Sequence, residues 1–206
     1  MEQERPDQNA VDMDLFLRIS THRMTDHYLI KLLRAIRTMD QEQLWRHPSV
    51  SANSTGGIVL HIVEHVRRSA ARWTERCGAE CGAECATERA AEGATERAAE
   101  AAMAGNAGAE QGIEDHFPDV DLSPDALETI VESVFHGWRE VMGRMPPQNC
   151  KDDDMHHLFH VVEHTGHHLG QIVDRAQVMA SVSFRFCQNG VNERELRRLI
   201  ENRSFL

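Results

Sequence analysis

The histidines are the residues of this chain best suited to do chemistry. Thirteen occur, and six of them fall between His156 and His168 in the run DMHHLFHVVEHTGHHLGQIV. At about 100° per helical residue, His157, His164 and His168 lie within about 20° of one common direction. They border the apolar arc of Leu158, Val161, Leu169 and Ile172, so the rings can lean toward an interior. His156, His160, Glu163 and His167 point away from that row and are expected to face solvent. A lone histidine pair on a helix is more often a surface accident or a hydrogen-bonded pair than a metal site. Two imidazoles at i and i+4 can nevertheless chelate one ion if another element supplies a third ligand. The run GGIVLHIVEH offers it through His61 or His65, and spacing leaves the choice open. Three neutral imidazoles suit zinc, nickel, iron or copper and leave positions free for water or substrate. Binding should weaken as the rings protonate near their ordinary pKa of about 6.5.

These side chains need helices to carry them. Leu15, Ile19, Tyr28, Leu32, Leu33 and Ile36 recur at helical spacing and predict a first helix over about 14–39 with that stripe buried. Residues 40–54, with Pro48 and the cluster SANST, break the pattern and prepare a new start. A second helix over about 58–73 carries Ile58, Ile62, Val66, Ser69 and Trp73 on one face. The third opens at SPDALE, where Ser123 can cap, Pro124 fits the first helical position and Asp125 favours the positive end of the dipole. Pro146 and Pro147 stop it. A fourth is predicted over about 155–179, and NERELRRLIENR reads as a short terminal helix. SVSFRF could be extended, but no convincing strand appears. The fold class expected is all-α, with four amphipathic helices sharing one core as a bundle in a single domain, 1–206.

Between helices two and three lies a low-complexity insertion, 75–114, in which GAEC occurs twice and ATERAAE recurs. From Ala86 to Gln111 its one large apolar residue is Met103, so it can be helical by alanine propensity but cannot bury a face. Cys77, Cys81 and Cys85 follow the four-residue repeat and lack the second pair that zinc sites use. Five cysteines in a chain of 206 residues predict reduced thiols rather than disulfide staples. The formal charge of −11 argues against a nucleic-acid or anionic-membrane partner, because phosphate binding needs clustered Lys and Arg. No apolar run reaches membrane-helix length, and MEQERPDQNA has neither the basic end nor the apolar stretch of a signal peptide. A cytoplasmic location is the expectation.

The run HTGHHLGQI, with His164, His168, Gly170 and Gln171, resembles the HxxxHxGQ signature of the DinB-like family of metal-binding four-helix proteins. NSTGGIVLH, from Asn53 to His61, resembles that family's second-helix motif. The resemblance covers helices one to four and implies an up-down-down-up bundle with His61, His164 and His168 as the metal ligands. It thereby picks His61 over His65. The cofactor implied is a divalent transition metal, Zn, Ni, Fe or Mn. The function implied is metal binding that supports a small-molecule enzyme, such as a transferase using bacillithiol or mycothiol, in a homodimer. The 75–114 insertion departs from the family's short connection, and no general base is identifiable in the sequence.

Three other readings compete. HIVEH and HVVEH both match the HxxEH of inverted zinc proteases, but such enzymes are larger and rotation turns Glu163 about 100° from His164. A non-enzymatic hemerythrin-like bundle would need bridging carboxylates, and Glu64 alone stands near the expected face. A metal-free helical interaction module is the third.

Overall fold

A computed structural model describes residues 8–81 and 117–202, and within them every regular element is helical. Helix α1 (Gln8–His22) runs into a wide π-helical turn, Arg23–Tyr28, and continues as α2 (Leu29–Ile36). Then come α3 (Gln41–Trp45), α4 (Thr55–Cys81), α5 (Pro124–Gly143), α6 (Asp152–Ala180) and α7 (Glu193–Glu201). SVSFRF forms no strand. Of the low-complexity insertion, 75–114, residues 75–81 continue α4 and 82–114 lie outside the described residues.

The helix starts follow local chemistry. Asp40 accepts from the Gln43 amide at 2.8 Å while Gln43 accepts from the Asp40 amide at 3.0 Å, which closes a reciprocal cap on α3. Ser123 accepts from the Ala126 amide ahead of Pro124, and Asn192 accepts from the Glu195 amide at 3.0 Å to start α7. At α4, Ser54 accepts from the Gly57 amide at 3.0 Å and donates to Asp119 at 2.6 Å. That second bond ties the 117–120 strand of chain across the start of α4.

The π-helical turn corrects the sequence reading of the first helix. Leu15 and Ile19, expected inside, are 42% and 36% exposed, whereas Met13, Leu17 and Met24 are buried. A π-helical turn holds about one residue more than an α turn and so shifts the helix phase by roughly 100°. Spacing carried back from Leu32 therefore lands one residue out of step.

Packing brings α4 against α5 and α6, and α2 against α5 and α6. Side-chain pairs give the directions. Arg72 of α4 reaches Asp153 at one end of α6, and Arg175 donates to the Asn53 carbonyl at the other, so α4 and α6 run antiparallel. Ser54 with Asp119 and Ser69 with Trp138 make α4 and α5 parallel. Arg37 with Glu128 and Arg139 with Asp26 make the first helix antiparallel to α5. Trp73, Trp138, Phe135, Leu127, Ile62 and Leu158 are fully buried members of one connected core. Helix α7 docks on the outside of the first helix, where Arg23 pairs with Glu193 and Arg18 donates to the Ile200 carbonyl at 2.7 Å.

Candidate metal centre

The antiparallel pairing of α4 and α6 brings two i,i+4 histidine pairs face to face. His61 and His65 come from α4, and His164 and His168 from α6. His61 stands level with His168, ring centroids 4.9 Å apart, and His65 stacks on His164 at 3.9 Å. His61 and His164 are also 4.9 Å apart, with their Nε2 atoms at 2.9 Å, one donating to the other. All three residues named by the family motif are thus together. The tightest set of ligand atoms, however, comes from His61, His65 and His164, which lie within 4.8 Å of one another and form a group able to hold a metal ion.

The donor set fits a nitrogen-preferring transition metal. A tetrahedral site with metal–nitrogen bonds near 2.05 Å has ligand atoms about 3.3 Å apart. The His61–His164 pair is a few tenths of an ångström tighter than this, and the other separations within the group reach at most 4.8 Å. His65 carries a further mark, because its Nε2 is buried with no hydrogen-bond partner. Leaving a buried polar atom unsatisfied costs about 1–3 kcal/mol, a cost that a ligand would remove.

The surroundings keep the His65 and His164 rings neutral near pH 7. Burial pushes the His65 pKa down to about 4, helped by the neighbouring His61, His160 and His168 and by Arg68. Burial with His65, His168 and His61 nearby takes His164 down to about 3. His168 is also lowered, chiefly by burial, against the opposing hydrogen bond from its ring to Gln171. The His65 and His164 rings therefore take up protons well below the ordinary imidazole pKa of about 6.5.

Gln171 explains part of the motif. Its Oε1 accepts from Nδ1 of His168 at 3.0 Å, which leaves the Nε2 lone pair of that ring as the available ligand atom, and its amide nitrogen donates to His167 at 3.3 Å. Gly170 has open space around it and no close neighbour. In the upstream motif, a Cβ on Gly56 would sit 2.7 Å from the Trp45 ring, and one on Gly57 would sit 3.3 Å from the Pro118 carbonyl. Those two glycines let Trp45 and the 117–119 chain close over the start of α4. Phe117 is thereby stacked on His61 at 4.2 Å.

Neighbouring residues sort the competing readings. Glu64 is buried, and although burial alone would raise its pKa, Arg67 at 2.9 and 3.1 Å and Arg68 at 2.6 Å hold it below the usual carboxylate range. The one carboxylate expected to bridge two irons is already engaged by two guanidiniums. Glu163 is exposed, away from the cluster, so neither HxxEH run assembles a protease site there. His157, which shares the sequence direction of His164, pairs with Asp153 at 3.5 Å instead. His160, expected in solvent, is half-buried with its ring 5.5 Å from His164 and 6.2 Å from His65. His65 was legible as half of an i,i+4 pair with His61, but only the register of α4 against α6 says that both halves face inward. Phe117 left no signal in the sequence.

Cys187 carries a free thiol, and the Cys150 thiol donates to the Pro146 carbonyl at 3.9 Å. No helix among the described residues is long and apolar enough to cross a membrane. No protein-family model, curated protein or solved structure matches this chain.

Proposed function

We propose that this chain is a DinB-like metalloprotein that binds one divalent transition metal through His61, His164 and His168. The observation that carries the reading is the convergence of imidazoles from α4 and α6 in a largely buried cluster, with the Nε2 atoms of His61 and His164 2.9 Å apart. The HxxxHxGQ run and the NSTGG run support the family assignment. So do the helix pairs, α4 parallel to α5 and antiparallel to α6, which agree with an up-down-down-up four-helix bundle.

The metal would supply Lewis acidity toward a bound water, thiol or electrophile. The residues of the chain hold and orient the ligands, and Phe117 shields one side of His61. A thiol transferase acting on a small molecule is the activity this reading favours. A homodimer belongs to the same reading, supported by Val11, Leu15 and Ile19, which stand exposed at four-residue spacing on α1. Light scattering of Leu15→Glu against the parent chain tests that part.

Elemental analysis of protein purified without added metal tests the central claim, with about one ion per chain expected. Zinc or nickel at a hundred times its dissociation constant adds about 2.7 kcal/mol, which raises the melting temperature by roughly 5–10 °C for a chain of this size. His164→Ala should abolish that rise. A metal-free preparation whose melting temperature ignores both ions would overturn the proposal.

A further inference from the structure

We infer that His65 is a fourth imidazole ligand, so that the centre is a four-nitrogen site built from two i,i+4 pairs on antiparallel helices. This rests on the metal-binding function proposed above and goes beyond the three-histidine set that the family motif names.

The geometry is reciprocal. His61 and His65 are one helical turn apart on α4, and His164 and His168 are one turn apart on α6. Because the helices run antiparallel, His61 meets His168 at 4.9 Å and His65 meets His164 at 3.9 Å. A ring nitrogen of His65 lies within 4.8 Å of ligand atoms on both His61 and His164. His164 and His61 meet through their Nε2 atoms, and Gln171 holds His168 through Nδ1, leaving its Nε2 available. The Nε2 of His65 is buried without a hydrogen-bond partner and, unlike other such atoms, lies among three further imidazoles that could share an ion with it. A packing role alone would be met as well by an apolar side chain.

Four imidazoles change the chemistry of the site. They fill the tetrahedral shell of zinc, leaving no obligatory position for water. They also favour zinc, copper, nickel and cobalt over manganese, magnesium and calcium, which prefer oxygen. An exogenous ligand then binds only where the ion accepts a fifth position or His65 gives way.

The test uses the full chain loaded with zinc or cobalt. X-ray absorption at the zinc edge should find four imidazoles, counted by the scattering of their outer ring atoms, with nitrogens at about 2.0 Å in the parent protein, and three imidazoles with one water oxygen in His65→Ala. His65→Leu, which keeps buried volume, should bind zinc at least about tenfold more weakly while remaining folded by circular dichroism. The visible spectrum of the cobalt form should ignore azide in the parent and shift with azide in His65→Ala. Three imidazoles in the parent and an unchanged shell in His65→Ala would overturn the inference while leaving metal binding intact. Failure of the parent to bind zinc or cobalt at all would overturn the metal function and this inference together.

Discussion

Acidification of the metal-free protein is the perturbation that reads the histidine cluster most directly. In the folded chain the pKa of His65 is near 4 and that of His164 near 3, whereas unfolded imidazoles titrate near 6.5. Above pH 6.5 both states are neutral and stability does not depend on these groups. Between pH 6.5 and about 4 the unfolded chain takes up protons that the folded chain refuses, so stability falls as pH falls. From pH 7 to pH 5 each such histidine removes about 1.9 kcal/mol. Water around the half-exposed His164 screens part of this, so the pair together should cost about 2–3 kcal/mol. His27, buried and lowered to about 4, acts in the same sense, while His47, raised by its hydrogen bond to the Ala52 carbonyl and by Asp119, opposes it. Urea unfolding in chelator at pH 7, 6 and 5 measures the slope. The His65→Gln/His164→Gln chain should lose markedly less stability over that interval than its parent. Equal losses in the two proteins would refute the assignment of the pH dependence to the cluster. Zinc binding should survive at pH 5.5 wherever the chain is still folded, because His65 and His164 stay unprotonated there.

Other expectations follow from particular contacts. Gln171→Ala removes the acceptor that orients His168, and should weaken zinc or nickel binding by about 10- to 100-fold with little change in the melting temperature of the metal-free chain. Gly56→Ala forces a Cβ to within 2.7 Å of Trp45, and chemical denaturation should register a loss of about 1–3 kcal/mol. Ser69→Ala strips the buried Trp138 indole of its partner at 3.2 Å and should cost about 1–3 kcal/mol in the same assay; an unchanged midpoint would mean the indole finds another acceptor.

Much of the helical architecture was legible because helices are specified locally. Ser123, Pro124 and Asp125 begin α5 where the residue types say they should, and Asn192 begins α7. The four-residue step from His164 to His168 puts both rings on one face whatever surrounds them. Phase across the first helix was not legible, since nothing in Arg23–Tyr28 announces a wide turn, and that turn moves Leu15 and Ile19 outward. The choice between His61 and His65 depended on how α4 meets α6, and the structure brings both inward. By itself the sequence determined the four long helices, the starts of α5 and α7 and which histidines pair along one helix, because those follow from neighbours a few positions apart; the short helix Gln41–Trp45, inside the stretch read as a break, it did not. Only the tertiary structure decided that α4 and α6 run antiparallel, that His65 lies level with His164, and that burial holds both rings neutral. Those properties come from contacts about a hundred residues apart in sequence, between Arg72 and Asp153 at one end of the helix pair and Asn53 and Arg175 at the other.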